Sequence, residues 1–387
     1  MRGMVTEPHT PLTDDLFAGL QRRLAAGPRP SPTTARILLP VLRARVAATR
    51  LAGSYWHVHA ARRAGCEQLA RWARPTFEVP AGGWVAHRIV SATESTVVLA
   101  GPAGKPVEGI IKLPYSDAAW EQLLRQERVL RALAADPRAG DLRSLLPLPV
   151  RCELRGGRRV AVERALPGQT LWSLRGESAS YAAGLAAARR VLNTLQGDTG
   201  TQVTVGQDLV ERWVASPMAL MAALAARLRD AQRYSAPLER LTARLTTWLE
   251  GRTVVSCWIH GDFWPANIMV EAGGAHVTGV VDWGRAASGE LPLHDALQLL
   301  LHEPQFAAGG GSLDRTVLGL LEDPRRLAEL RPLLAEWGLA SGVGDDLRNA
   351  LLLYWFRYVP AFLAKCPSLL GNPWWLDRNV GRILLAV

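Results

Sequence analysis

Two kinds of hydrophobic pattern divide the chain near residue 165. Between about residues 79 and 165, short apolar runs with a period of two are separated by turn residues, a pattern typical of antiparallel strands. The predicted strands cover residues 84–90, 97–100, 107–113, 150–154 and 159–165. A single helical pattern interrupts them at residues 117–135, with Ser116 or Asp117 as its N-cap. This part of the chain therefore predicts a small sheet that carries one helix.

Beyond residue 165, apolar residues three and four positions apart predict a mostly helical segment that extends to residue 387. The predicted helices cover residues 181–195, 209–213, 217–234, 237–249, 316–321, 324–337, 345–366 and 376–385. Apolar runs before residue 260, at 268–270 and at 277–281 predict strands inside this segment. Together the two patterns predict an α+β chain with a small antiparallel-sheet lobe at residues 79–165 and a larger, mostly helical lobe at residues 166–387.

A third region, residues 1–78, has its own character. Leucines repeat at helical spacing from Leu16, and prolines at 28, 30 and 32 interrupt the pattern. Twelve arginines against five acidic residues make the region basic. We expect a helical, basic N-terminal extension. Packing on the small lobe, a role in oligomers and a role in recognising a substrate all stay open.

The charge distribution and the cysteine spacing argue against several functional classes of protein. The net charge is +10, but the 45 basic residues include only three lysines, Lys105, Lys112 and Lys365, and no run of five like charges occurs. This distribution favours a solvated basic surface over a nucleic-acid site or a membrane-binding patch. Four widely spaced cysteines without a Cys-x-x-Cys motif argue against zinc or a disulfide framework, and no apolar run is long enough for a membrane span. We expect a cytoplasmic protein.

Three polar side chains with related chemistry follow the strands of the large lobe. Asp262 and Asn267 lie five residues apart on a loop, and Asp282 ends the strand after the next turn. One carboxylate can orient a hydroxyl group while an amide and a second carboxylate hold Mg²⁺ on phosphates, which is the arrangement that phosphoryl transfer requires. The alternative is that Asp262 and Asn267 cap a surface turn and Asp282 only ends a strand.

The order and spacing of these residues resemble a known family. His260-Gly261-Asp262, four residues, Asn267 and then Asp282-Trp283 is similar to the pattern of the aminoglycoside phosphotransferase and choline kinase group, relatives of the protein kinases. The resemblance implies a two-lobed, protein-kinase-like fold, with ATP and Mg²⁺ as cofactors. It also implies a catalytic role for Asp262, which would orient the acceptor hydroxyl, and Mg²⁺ ligation by Asn267 and Asp282.

The same resemblance implies a nucleotide site in the small lobe. Lys112 would contact the phosphates and pair with Glu127, and the backbone from Glu163 to Ala165 would bind the adenine at the hinge between lobes. Ser95 lies in the turn at residues 91–96, which contains no glycine, so hydroxyl and backbone N–H groups would replace the glycine-rich loop of protein kinases. Asp295 would accept hydrogen bonds from the catalytic loop and cap the next helix.

The function predicted from the sequence is ATP- and Mg²⁺-dependent transfer of the γ-phosphate to a hydroxyl of a small molecule: a sugar, an aminoglycoside-like compound or another metabolite alcohol. The glycine-free turn keeps open a nucleotide-binding pseudokinase or regulatory protein without transfer activity. A basic nucleic-acid-binding protein is the third hypothesis, although no DNA-reading pattern supports it. No acidic cluster suited to a polycationic acceptor is evident, so the acceptor, the preference for ATP or GTP, and the oligomeric state stay open.

Overall fold

Five antiparallel strands and one long helix form the small lobe. The computed structural model describes residues 84–91, 95–155, 157–303, 312–340 and 345–387, so the extension predicted for residues 1–78 lies outside the described residues. The strands are β1 (Trp84–Ser91), β2 (Ser95–Pro102), β3 (Gly109–Pro114), β4 (Val150–Arg155) and β5 (Arg158–Arg164). Their order in the sheet is β1-β2-β3-β5-β4, and every neighbouring pair is antiparallel.

Helix α1 (Asp117–Ala135) packs against one face of this sheet. The Ser116 hydroxyl caps it by accepting a hydrogen bond from the Ala119 amide at 3.2 Å, and the extended residue Asp136, followed by Pro137, ends it. The helix buries Ala119, Arg125, Gln126, Val129, Leu130 and Leu133, which recur at helical spacing. The predicted bounds of this helix are confirmed.

Helices dominate the rest of the described chain. They are α2 (Ser178–Thr199), α3 (Gln207–Val210), α4 (Ser216–Ala225), α5 (Ser235–Leu249), α6 (Leu293–Leu300), α7 (Leu313–Glu322), α8 (Arg331–Glu336), α9 (Asp346–Lys365), α10 (Pro373–Leu376) and α11 (Arg382–Leu385). Short 3₁₀ segments cover Pro137–Leu145, Leu171–Gly176, Ala231–Tyr234, Trp283–Arg285, Pro324–Leu330 and Pro367–Gly371, and π-helical turns cover Glu211–Ala215 and Asp377–Gly381. The predicted helix at 217–234 is wrong in its second half, because Asp230 adopts a left-handed conformation (φ 55°) that a continuous helix excludes.

Two small sheets cross the helical lobe, and the turns between their strands carry Asp262, Asn267 and Asp282. One has the order β10-β9-β6 and the other the order β11-β8-β7. Their strands are β6 (Gln169–Thr170), β7 (Thr201–Thr204), β8 (Thr253–Ile259), β9 (Ile268–Val270), β10 (Val277–Val280) and β11 (Ala287–Glu290). The loop at residues 260–267, here called the catalytic loop after its predicted role, joins β8 to β9, and Asp282 follows β10.

Buried apolar side chains form two clusters, one within the small-lobe sheet and one that fills the large lobe and also includes Val129, Leu130 and Leu133 of α1. In the small lobe, Trp84, Val98, Ala100, Ile111, Val160 and Val162 are buried on one face of the sheet. In the large lobe, a continuous core surrounds fully buried side chains such as Trp213, Trp355 and Phe356. The two-lobed α+β fold is therefore confirmed. None of the described helices is long and apolar enough to cross a membrane.

Candidate active site

Two carboxylate hydrogen bonds fix the start of the catalytic loop. Asp295 is fully buried and accepts from the His260 amide at 2.5 Å and from the Gly261 amide at 2.8 Å. Gly261 has φ 74°, and a Cβ there would lie 2.4 Å from the Arg285 carbonyl oxygen, so the turn requires glycine. The predicted hydrogen bonds of Asp295 are confirmed. Its predicted role as a helix cap is wrong, because α6 begins at Leu293 and Asp295 lies inside its first turn.

His260 is a structural residue of this loop. Its Nδ1 accepts from the Asp262 amide at 3.2 Å, so its Nε2 carries the proton and donates to the Val281 carbonyl at 3.0 Å. Burial lowers the pKa of His260 to about 4. A neutral ring with both nitrogens engaged holds the catalytic loop against the strand that leads to Asp282, and it has no nitrogen left to act as a general base.

Asp262 is buried among hydrogen-bond donors. Its Oδ1 accepts from Gln298 at 2.8 Å and faces the Arg285 guanidinium at 3.3 Å. Its Oδ2 faces the Lys365 ammonium at 2.9 Å. Burial would raise the pKa of Asp262, but these two cations hold it below its usual range. Asp262 is therefore a carboxylate in a fixed orientation, which suits it to align a hydroxyl group rather than to act as a strong base.

Asp282 and Asn267 lie next to this carboxylate. The Asn267 amide nitrogen donates to the Asp262 carbonyl oxygen at 2.9 Å, which leaves the amide oxygen for an electropositive partner. Asp282 adopts a left-handed conformation (φ 67°), uncommon outside glycine, that turns the chain sharply after β10. Its Oδ2 lies 2.6 Å from the Lys365 Nζ. One ammonium thus bridges the two carboxylates of the motif.

The side chains present fit a magnesium ion that also binds phosphates. Mg²⁺ in nucleotide sites takes one or two protein oxygen ligands and completes its shell with phosphate oxygens and water. Asp282 and the free oxygen of Asn267 could serve as such ligands, and Lys365 shows that a positive charge is accommodated beside Asp282. Across the described residues, no group of three or more His, Cys, Asp or Glu side chains could hold a metal alone. The site therefore suits Mg²⁺ bound together with a nucleotide.

Lys112 pairs with a different partner from the one the sequence predicts. Its Nζ lies 2.7 Å from Glu163 Oε1, and Gln126 of α1 donates to the other Glu163 oxygen. The strand pairing explains this contact: Glu163 lies opposite Ile110, on the sheet face that also carries Lys112. The expected pairing with Glu127 is wrong. Glu127 follows Gln126 in α1, and its side chain points away from Lys112.

Glu127 instead serves the outer side of the small lobe. One of its oxygens pairs with Arg131 at 2.6 Å, one helical turn on, and the other accepts from the Cys152 amide of β4 at 3.2 Å. A rotation of 100° between successive helical residues separates Gln126, which faces the site, from Glu127. The residue of α1 that reaches the Lys112 pair is therefore an amide rather than a carboxylate.

A cavity of about 750 Å³ between the lobes brings most of the predicted residues together. It is lined by Ser95, Lys112, Glu163, Ala165, Asn267, Asp282 and Lys365, with apolar walls that include Val97, Leu99, Ile110, Leu166 and Met269. Such a volume and such walls suit a nucleotide base and its sugar. The Ala165 N–H already donates to the Glu108 carbonyl at 2.9 Å, so its carbonyl is the backbone group left for an adenine.

Arg125 connects the two lobes at this cavity. Its buried guanidinium donates to the Gly284 carbonyl at 2.9 Å and to the Ala286 carbonyl at 3.2 Å. Both carbonyls belong to the segment directly after Asp282. The small-lobe helix therefore helps to fix the position of a proposed magnesium ligand.

Sequence reasoning missed several residues of this site. Arg125, Gln126, Arg285 and Gln298 stand at positions where the local pattern gives no sign of a functional role. The rarity of lysine in this arginine-rich chain was a weak indication that Lys365 has a function. The local sequence, however, does not show that the end of this helix contacts Asp262, 103 residues earlier. Only the tertiary fold reveals these contacts.

Comparison with known proteins agrees with the fold. The model of a family described as APH, phosphotransferase enzyme family, matches residues 88–333. No curated protein matches the chain.

Two similar solved structures come from a thermostable mutant of the aminoglycoside phosphotransferase APH(4)-Ia. The ternary complex of that protein with AMP-PNP and hygromycin B is 17% identical in sequence, covers 82% of this chain and 98% of its own, and superposes with a TM-score of 0.51. The apo form has the same identity and coverage and a TM-score of 0.50. At this identity the likeness shows the fold, whereas the family model covers well over half of the chain and includes the catalytic loop and Asp282. The chain belongs to the APH phosphotransferase enzyme family.

Proposed function

We propose that the protein is an ATP- and Mg²⁺-dependent kinase that transfers the γ-phosphate to a hydroxyl group of a small molecule. The observation that carries the proposal is that Asn267 and Asp282 line the cavity that also contains Lys112, while Asp262 lies directly behind them, in contact with Asn267 and Lys365. These groups match the parts of phosphoryl transfer: one to orient the nucleophile, oxygen ligands for magnesium, and a cation for the phosphates.

Each residue has a distinct role in this proposal. Lys112, held by Glu163, binds phosphate oxygens of the nucleotide, and Asn267 and Asp282 hold the magnesium ion. The ion, when bound, neutralises phosphate charge and aligns the γ-phosphate. The acceptor oxygen forms a bond to the γ-phosphorus while the bond to the β,γ-bridging oxygen breaks, and ADP leaves with that electron pair. The hydroxyl proton passes to Asp262 and then to solvent.

The charge around Asp262 bears on the acceptor. Two cations, Arg285 and Lys365, face this carboxylate. The nearby buried Glu290 is itself paired with Arg212 and Arg357, which leaves it no uncompensated charge. A polycationic acceptor would meet cations beside the reactive carboxylate, so we propose a neutral or anionic alcohol, such as a sugar or another metabolite. We place the reaction in the cytoplasm, where ATP is available and where the free cysteines Cys152, Cys257 and Cys366 stay reduced.

A second candidate is a nucleotide-binding protein without transfer activity. The ammonium of Lys365 occupies the gap between Asp262 and Asp282, and a permanent bridge there would exclude an acceptor and a metal ion. This candidate predicts nucleotide binding without any phosphorylated product.

Product analysis by mass spectrometry tests both candidates. Full-length protein with MgATP is offered aminoglycosides, sugars, choline-like alcohols and acidic metabolite alcohols, and phosphorylated products are identified by their mass. We expect a product among the neutral or anionic alcohols, and we expect Asp262→Asn to abolish it without loss of nucleotide binding. Asp208→Asn, on an exposed part of α3, is the matched control. Nucleotide binding with no product from any class would favour the second candidate, and product formation by Asp262→Asn at the normal rate would refute the role of Asp262.

A further inference from the structure

The catalytic loop contains no cation of its own. Between Asp262 and Asn267 stand Phe263, Trp264, Pro265 and Ala266, of which Phe263 is almost fully buried. Phosphoryl transfer spreads negative charge over the equatorial oxygens of the moving group, and kinases stabilise that charge with cations placed beside it. Lys112 is held by Glu163 in the small lobe, so any further cation beside the moving group, in addition to Lys112 and magnesium, would come from elsewhere in the fold.

Lys365 lies where such a cation is needed. It is the last residue of α9, and its Nζ lies 2.9 Å from Asp262 Oδ2 and 2.6 Å from Asp282 Oδ2. Asp262 faces the acceptor hydroxyl and Asp282 faces the metal-bound phosphates in the proposed function. A group that contacts both carboxylates therefore lies beside the line along which the acceptor oxygen approaches the γ-phosphorus, where the equatorial oxygens would be. Lys365 also lines the nucleotide cavity.

We infer that Lys365 is a catalytic residue whose ammonium binds the transferring phosphoryl group. The inference rests on the proposed function. When nucleotide and metal enter, the ammonium leaves Asp282 and donates to equatorial oxygens of the γ-phosphoryl group. There it neutralises charge while the bond to the acceptor oxygen forms and the bond to the ADP oxygen breaks. Lys365 exchanges no proton in this step.

The geometry favours this role over simple neutralisation of Asp262. Arg285 already faces Asp262 and is held in place by burial and by the ring of Tyr358, 5.6 Å from its guanidinium carbon. Lys365 differs, because its side chain is 28% exposed and opens into the cavity. A compact ammonium on a flexible stem can move from a carboxylate to a phosphate, whereas a planar guanidinium fixed by stacking cannot. The two cations beside Asp262 thus have separate roles, one fixed and one movable.

The experiment asks whether Lys365 binds the transferring phosphoryl group in the transition state or the nucleotide before the reaction. Wild type, Lys365→Met and Lys365→Arg are compared in the slow hydrolysis of ATP by water and in transfer to any acceptor found by mass spectrometry. Calorimetry measures the affinity for magnesium AMP-PNP, and for MgADP with and without aluminium fluoride, a mimic of the transferring phosphoryl group. Lys105→Met, in the exposed turn between β2 and β3, is the control for loss of a lysine charge.

We expect Lys365→Met to lower the turnover number by about 10²–10³-fold, as loss of one transition-state donor does. The affinity for magnesium AMP-PNP should stay within about threefold of wild type, and the gain in affinity on adding aluminium fluoride should disappear. Lys365→Arg keeps both ion pairs and hence the fold, but we expect about a tenfold lower turnover number, since a guanidinium cannot replace an ammonium at a compact site. If Lys365→Met does not fold, Lys365→Arg carries the test.

Either of two results would overturn the inference about Lys365 and leave the proposed function intact. Turnover close to that of wild type in both variants would show that Lys365 only neutralises the empty site. An equal loss of AMP-PNP affinity and turnover would make it a residue that binds the nucleotide before reaction. A wild-type protein that binds no nucleotide would instead refute the proposed function, and the inference with it.

Discussion

The ammonium of Lys112 pairs with Glu163 on the neighbouring strand β5, at 2.7 Å, and not with Glu127 on helix α1. Both side chains of this pair are largely buried, and Gln126 donates a further hydrogen bond to Glu163. The orientation of Lys112 therefore depends on the pairing of strands β3 and β5. A shift of α1 alone would leave the ion pair in place.

This contact predicts different costs for the removal of two glutamates. Glu163→Ala leaves the Lys112 ammonium buried without a partner, and we expect it to lower the free energy of unfolding by about 3–5 kcal/mol. Glu127→Ala removes a half-exposed pair and one backbone contact, for which we expect about 1 kcal/mol. Urea denaturation of both variants measures the difference. A larger loss in Glu127→Ala would show that Lys112 depends on the helix after all.

Removal of the charge of Asp282 should abolish the effect of magnesium on nucleotide binding. Asn tolerates the left-handed conformation of residue 282, so Asp282→Asn isolates the charge from the backbone. Calorimetry with AMP-PNP should show the affinity in Mg²⁺ falling by at least about 100-fold. The affinity in EDTA should be unchanged. A normal magnesium dependence in this variant would exclude Asp282 as a ligand.

The contact of Arg125 with the segment after Asp282 predicts an effect of the small-lobe helix on turnover. Arg125→Met leaves the buried carbonyls of Gly284 and Ala286 without these donors, at a cost of about 2–4 kcal/mol in stability. Displacement of Asp282 should lower the turnover number by about 100-fold. Arg131→Met, on the exposed side of the same helix, is the control and should change neither quantity. Equal activity of the two variants would show that the contact does not position Asp282.

The neutral state of His260 predicts a loss of stability in acid. Burial lowers its pKa from 6.5 to about 4, so the unfolded chain binds a proton in this range that the folded chain does not. The stabilisation is complete above pH 6.5 and decreases as the pH falls towards 4, by about 3 kcal/mol in total. His260→Gln lacks this titration and should have a flatter pH profile in urea denaturation.

A His260→Gln profile parallel to the wild type would show that His260 accepts a proton in the folded protein.

Much of the fold follows from local pattern. The strands of the small lobe and helix α1 obey periods that backbone geometry imposes, so their positions could be predicted within a few residues. The helix predicted at 217–234 shows the limit. The helix ends at Ala225, and the left-handed conformation of Asp230, which excludes a continuous helix to residue 234, gives no signal in the periodicity.

The proximity of Asp262 and Asn267 could also be predicted, because both lie on one short loop whose geometry depends on neighbouring residues, whereas their catalytic and metal-binding roles stay predictions. The contacts that these residues make with distant helices and strands could not be predicted from the sequence. The choice between Glu163 and Glu127 depends on how α1 rotates against the sheet, and Lys365 reaches Asp262 only after α9 packs. The division at residues 165 and 166, and the roles of Ser95 and Ala165 in nucleotide binding, stay predictions.

The position of Lys365 in the chain also has a consequence for protein synthesis. The carboxylates of Asp262 and Asp282 leave the ribosome well before the ammonium that joins them. The 83 residues from Asp282 to Lys365 require about 4–17 s of translation at about 5–20 residues per second. During that time both carboxylates lack their shared cation. A nascent or truncated chain that ends before residue 365 would contain every motif by which a kinase is recognised and would still have an incomplete charge arrangement at its centre.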